Sequence, residues 1–274
     1  MLIEQMISPL AHIHPAARLA PGVTVEPFTV IYGDVEIGEN TWIGPHVTIM
    51  DGARIGANCQ IFPGAVVSAV PQDLKFAGEV TTAEIGDYTV LRECVTVNRG
   101  TVEQGRTVVG SHCLLQAYVH IAHDCILGDH IVISNATQMA GHVLVGDWAI
   151  IGGTTAIQQF SRIGAHSFIA GGSLVRSDVP PFVKAAREPL TYAGVNTVGL
   201  SRRGFSEAQI RDMHEVYRLL YLSNSPQQEA LARIEAELPA SAERDEVVNF
   251  VRRAAMDHGI IKGPGRRKGD ESAD

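Results

Sequence analysis

Every sixth residue from Ile13 to Val175 carries an aliphatic side chain, and the only exceptions among the 28 positions are Asp73, Glu79 and Glu103. Four residues beyond each aliphatic the side chain is usually small or β-branched, as at Val23, Thr29, Val35, Thr41, Cys59, Ala65, Cys113, Cys125, Thr137 and Ala149. Glycine often follows the aliphatic directly, as at Gly38, Gly56, Gly86, Gly110, Gly128 and Gly146. A period of six fits neither the 3.6 of a helix nor the 2 of a long strand. It fits short strands joined by tight corners, with the large and the small column both facing inward. Three hexads per coil predict a triangular prism, a parallel β-helix whose 18-residue coils stack about 4.8 Å apart. The period alone leaves the handedness open, and the usual crossover rule favours a right-handed winding.

The aliphatic column lapses over 68–84 and 99–108 and then resumes in frame, which predicts loops extruded from a corner. Such loops on a rigid scaffold are where binding residues collect. The first offers Asp73 and Lys75, the second Arg99 and Arg106. After Val175 the repeat leaves through DVPPFV, and from Ser206 the pattern turns helical. Ser206 and Gln209 form a capping box, and Ile210, Met213, Tyr217 and Leu220 make the first apolar stripe. Two further segments carry Leu231, Ile234 and Leu238, then Val247, Phe250 and Val251. The expected organisation is a β-helix domain over 1–190, a helical domain over 191–262 and a flexible tail over 263–274.

Composition narrows the function. A net charge of −8 argues against nucleic acid or acidic membranes as partners. No apolar run is long enough for a membrane span, and the start lacks a signal-peptide pattern. Four cysteines without a CxxC pair fit a reducing compartment, and Cys59, Cys113 and Cys125 fall in the small inward column. Most of the 11 histidines, His130 and His166 included, are scattered. One cluster stands apart: His120, then His123-Asp124, with Gly141-His142 one full coil further on. The spacing converges three imidazoles and a carboxylate on one edge of the prism. An imidazole beside a carboxylate suits general-base chemistry at neutral pH. Three histidines also suit zinc, as in the similar β-helices of γ-class carbonic anhydrases, and the same residues can hydrogen-bond between rungs without any chemistry.

The strings QDLKFAGE (72–79), HIAHDC (120–125), AGHV (140–143), IGGTTAIQQF (151–160), DVPPFV (178–183) and GVNTVGLSRRGF (194–205) closely resemble those of the UDP-N-acetylglucosamine O-acyltransferases of lipid A biosynthesis, a family of hexapeptide-repeat acyltransferases. The resemblance spans about residues 10–260 and implies a left-handed parallel β-helix with a small C-terminal α-helical domain. It implies transfer of a 3-hydroxyacyl chain from acyl carrier protein to the 3-hydroxyl of UDP-N-acetylglucosamine, in a cytoplasmic homotrimer with sites between neighbouring prisms. It implies no cofactor beyond the carrier-bound thioester, and no metal. His123 matches the catalytic base and Asp124 its partner, while Gly141 supplies a backbone N–H for the oxyanion. Asp73, Lys75, His120, His142 and Gln159 match substrate contacts. Asn196, Arg202 and Arg203 match nucleotide or carrier-protein contacts, and Gly171 a position that gates acyl length. Gln158 and Val198 stand where relatives often carry a histidine and an acidic residue. Between 176 and 203, five basic residues against Asp178 and Glu188 form a local positive excess suited to an acidic carrier protein.

Overall fold

The computed structural model describes residues 6–222, 225–254 and 259–263. Its N-terminal part is a three-faced prism of very short strands, such as Thr24–Val25 and Trp42–Ile43. Parallel ladders run up each face, giving one eleven-stranded, one nine-stranded and one eight-stranded sheet among the described residues. Neighbouring rungs are offset by three hexads, as in Thr24↔Trp42 and Val132↔Ile150. The large and small columns both point inward: Ile31, Ile43, Ile49, Ile61, Thr41, Cys59 and Cys125 are at most 1% exposed. No ring is needed to fill so narrow an interior.

The two lapses have a simple cause. Gln60 pairs with Val90, where a regular coil would bring it to Gly78, and Val90 pairs with Leu114, where a regular coil would bring it to Val108. The first surplus is two hexads and the second is one, so the frame survives both insertions. Strands Val66–Ala69, Thr82–Ile85, Thr96–Asn98 and Arg106–Val109 trim the loops to 70–81 and 99–105, narrower than the lapses. Asn98 and Arg99 fasten the first loop. Asn98 Nδ2 donates to Val70 O (3.2 Å), and the Arg99 guanidinium lies 5.4 Å from the Phe76 ring centroid.

Each corner leaves a backbone N–H outside the ladder, and the sequence disposes of it in recognisable ways. Pro27, Pro45 and Pro63 have none to satisfy. At another corner an aspartate one rung up accepts it: Asp87 from Ala57 (2.7 Å), Asp129 from Ser111 (2.6 Å) and Asp147 from Asp129 (2.9 Å). The glycines of this corner exist because the next rung passes so close. A Cβ on Gly86 would lie 2.6 Å from Ser111 N. Beside these aspartates runs a column that the inward-facing hexad positions do not announce. Tyr88, His112, His130, Trp148, His166 and Phe182 stack ring on ring, with centroids 4.0–6.3 Å apart. His130 and His166, scattered in the sequence, are therefore satisfied locally as members of this ladder.

A hairpin of Val183–Ala186 and Thr191–Val195 closes the top of the eleven-stranded sheet. Four helices follow among the described residues: α1 (Thr197–Arg202), α2 (Glu207–Leu222), α3 (Gln227–Glu237) and α4 (Ala242–Ala254). The expected box forms at the start of α2, with Gln209 N–H donating to Ser206 Oγ (3.2 Å) and Ser206 N–H to Gln209 Oε1 (3.0 Å). Ile210, Met213, Tyr217 and Leu220 are buried on its inner face, and the Tyr217 hydroxyl donates to Pro181 O on the prism. Isolated bridges pair Asp178 with Ile260 and Thr191 with Lys262. With the Tyr192 N–H donating to Lys262 O (2.9 Å), they tie 260–262 back to the end of the prism. Beyond Gly263, the expected tail lies outside the described residues.

Candidate active site

The strand His120–Ile121 ends on the nine-stranded face, and the chain turns at His123-Asp124 into Ile126–Leu127 on the eight-stranded face. Asp124 takes the left-handed conformation (φ 59°) that this corner demands and that aspartate tolerates better than most residues. His142 occupies the same place one rung up (φ 61°), its N–H donating to His123 O (3.1 Å). The expected convergence is present. Asp124 Oδ2 lies 2.8 Å from His123 Nδ1 and 3.7 Å from His142 Nε2. The two rings meet edge to face at 5.1 Å, and Phe160 stacks on His142 at 4.7 Å.

The carboxylate is wholly enclosed. The Thr101 N–H donates to Oδ1 (2.9 Å) and the Thr101 hydroxyl to Oδ2 (2.6 Å), while Asp124 N–H donates to Thr107 Oγ1 (2.8 Å). Burial alone would raise the Asp124 pKa. The Thr101 hydroxyl, His123 and the Thr101 N–H outweigh it and hold the carboxyl below its ordinary range, so Asp124 is ionised at neutral pH. His120 is shifted down, first by burial and then by His123, which keeps it neutral, and its Nδ1 lies 2.7 Å from Thr96 Oγ1.

His123 opens onto a cleft of about 550 Å³ on the nine-stranded face. The lining brings together His120, His123, Gly141 and Gln159 of the expected residues, and adds Gln72, Gln138, Gln158 and Arg176. Met139, Ile157, Leu174 and Val175 make its floor apolar. The Gly141 N–H has no acceptor among the described residues, unlike the aspartate-capped corner opposite. Glycine at 141 also leaves the imidazole its place, because a Cβ would sit 2.6 Å from His123 Cε1.

Other expected residues lie elsewhere. Asp73 and Lys75 are in the first loop outside the cleft lining, with Asp73 Oδ1 accepting from Lys75 N–H (3.0 Å). Gly171 is exposed at the corner that leads into Leu174–Val175, also outside the cleft lining. The Asn196 amide is committed inside the protein, donating to His166 O (2.9 Å) and capping α1 at Gly199 N–H (3.3 Å), so its side chain orients a helix. Arg202 is exposed, and Arg203 lies over Trp148 (5.3 Å). Two residues outside the expected set complete the corner, Thr101 and Glu103, whose Oε2 is 3.5 Å from His142 Nε2. Both sit in the one-hexad insertion, one rung below the dyad, where the repeat offers no register to place them.

His123, Asp124 and His142 offer three ligand atoms within 4.8 Å of one another, the geometry of a metal triad. The donor set is already engaged, however. Asp124 Oδ2 accepts from Thr101 and faces His123 Nδ1, so a cation would have to displace both.

The prism and its dyad define a hexapeptide-repeat transferase, and residues 34–69 match the family model described as bacterial transferase hexapeptide (six repeats). Residues 178–261 match domain 2 of UDP-N-acetylglucosamine O-acyltransferase. The acyl-[acyl-carrier-protein]--UDP-N-acetylglucosamine O-acyltransferase of Chlorobaculum parvum is 46% identical over 92% of this chain and 98% of its own. That of Thiobacillus denitrificans is 43% identical over 93% and 99%. The solved UDP-N-acetylglucosamine acyltransferase of Bacteroides fragilis superposes with a TM-score of 0.92 at 47% identity, over 94% of this chain and all of that one. The chain belongs to the UDP-N-acetylglucosamine O-acyltransferase family, and its prism is the left-handed parallel β-helix of hexapeptide repeats.

Proposed function

We propose that this protein transfers a 3-hydroxyacyl chain from acyl carrier protein to the glucosamine 3-hydroxyl of UDP-N-acetylglucosamine, the first step of lipid A biosynthesis. One observation carries the mechanism: Asp124 anchors His123 through Nδ1, leaving Nε2 as the nitrogen that serves the cleft. Nε2 takes the proton of the sugar hydroxyl as its oxygen attacks the thioester carbonyl, and Asp124 stabilises the imidazolium. The Gly141 N–H receives the oxyanion. Collapse of the tetrahedral adduct breaks the C–S bond, and the imidazolium returns its proton to the departing thiolate. No side chain is acylated, and no metal or further cofactor takes part, which suits a carboxylate whose lone pairs are already engaged by Thr101 and His123.

His120, His142, Gln159, Asp73 and Lys75 hold the sugar and donor in this reading, and Arg202 and Arg203 belong to the basic face that receives the acidic carrier. Gly171 leaves room for a long acyl tail beyond Leu174. The protein acts in the cytoplasm, in keeping with its free cysteines. Among the described residues no helix is long and apolar enough to cross a membrane. A homotrimer completes the site. Leu74 and Val80 stand fully exposed on the first loop, apolar groups without a cover in the single chain. The test is a transfer assay with UDP-N-acetylglucosamine and a panel of 3-hydroxyacyl carrier proteins. Formation of the 3-O-acyl sugar nucleotide, undiminished by a chelator, is expected. No product with any donor would refute the activity, and activity lost to the chelator and restored by zinc would refute the metal-free mechanism.

A further inference from the structure

The one-hexad insertion is the part of the corner that the repeat itself does not require. A regular coil would pass from Asn98 towards Val108 without it, yet its backbone turns in so that Thr101 meets Asp124. Thr101 is 5% exposed and uses both of its donors on one carboxylate, the N–H on Oδ1 at 2.9 Å and the hydroxyl on Oδ2 at 2.6 Å. Thr107, in the strand Arg106–Val109 that follows the insertion, accepts the Asp124 N–H at 2.8 Å. Two groups thus fix the carboxylate and one fixes its backbone, in a left-handed residue that has no strand to hold it.

We propose that Thr101 is the positioning residue of this site: its hydroxyl and N–H lock the plane of the Asp124 carboxylate so that Oδ2 is presented to His123 Nδ1, which sets the Nδ1–H tautomer and keeps Nε2 unprotonated for the substrate. The inference rests on the reading of His123 as the general base. Thr101 touches no substrate and acts only through Asp124. Without its hydroxyl the carboxylate keeps one of its two fixed contacts and turns about the other, and the imidazole follows it.

Thr101→Val removes the hydroxyl and keeps the branched shape and the N–H. It is expected to lower kcat roughly tenfold to a hundredfold, the worth of one hydrogen bond to a charged group. KM should stay unchanged, because substrate contacts are untouched. Nitrogen-15 NMR of His123 reads the tautomer directly and without turnover: Nδ1–H alone is expected in the wild type, and a mixture in Thr101→Val. Thr101→Ser, which retains the hydroxyl, should restore both kcat and tautomer. Thr101→Ala carries the same expectation as Thr101→Val and serves if the latter folds poorly. An unchanged kcat together with an unchanged tautomer in either hydroxyl-free variant would overturn the proposal. If the wild type itself transferred no acyl group, the reading of the function would fail, while the tautomer would still decide the role of Thr101.

Discussion

An alanine at position 141 would place its Cβ 2.6 Å from His123 Cε1, so the imidazole would have to leave its position over the cleft. Gly141→Ala is therefore expected to lower kcat at least tenfold while the melting temperature barely moves, since Gly141 adds nothing to the prism core. Steady-state kinetics beside a thermal melt checks both halves. The cysteines differ sharply in reactivity. Burial, above all, pushes the thiol of Cys113 up to about 11 and that of Cys125 up to about 12, and raises Cys59 as well. In the native protein only the half-buried Cys94 should label with a thiol reagent at pH 8, and all four should label after denaturation. Rapid native labelling of Cys125 would contradict the inward placement of the small column. His123, Asp124 and His142 were legible because a coil of fixed length turns sequence spacing into distance. Thr101 was not, because an inserted loop has no register to count from.

Strands and loops show the same division. The aliphatic column identified nearly every strand, and the two insertions preserved it because they are whole hexads. The stack of Tyr88, His112, His130, Trp148, His166 and Phe182 uses the same arithmetic but runs along the left-handed corner positions, outside the two inward columns that a search for core positions follows. It has a consequence for stability. Burial, then the nearby Arg203 charge, lowers the His166 pKa to about 4 from an ordinary 6.5. The folded state thus prefers the neutral ring. Its contribution is fully present above pH 6.5 and is lost as pH falls through 6.5 towards 4, where the unfolded chain binds a proton that the folded one refuses. His166→Phe keeps a ring in the stack and removes the titration, so its melting temperature should fall less than that of the wild type between pH 7 and pH 4. Parallel curves for the two proteins would show that His166 does not titrate in this way.

At the scale of the whole molecule, the prism supplies a rigid edge, the two insertions furnish that edge, and the helical part closes its end. The acidic chain carries a local excess of basic residues where the prism meets the helices, which suits an acidic carrier bringing its acyl group to the cleft. The first loop leaves Leu74 and Val80 uncovered, and the proposed trimer would cover them with a second copy. Light scattering should give the mass of three chains, and a monomer at assay concentrations that is fully active would exclude a shared site. Gly171→Met should shift donor preference towards shorter chains. Each buried CH₂ is worth about 0.8 kcal/mol, so blocking three would cost a long donor roughly 2.4 kcal/mol. An unchanged ratio of long-donor to short-donor rates would place the tail elsewhere.

In the proposed mechanism one imidazole, held by Asp124, is the base of a direct transfer. Its most direct measurement is the single-turnover rate of His123→Ala beside the wild type, with saturating UDP-N-acetylglucosamine and a carrier-bound 3-hydroxyacyl donor, on protein whose mass and melting curve match the wild type. His123 lies at a corner outside the hydrophobic core, so the variant should fold normally. Loss of a general base predicts a rate lower by roughly 10²–10⁴. A folded His123→Ala that transfers at the wild-type rate would rule His123 out as the base.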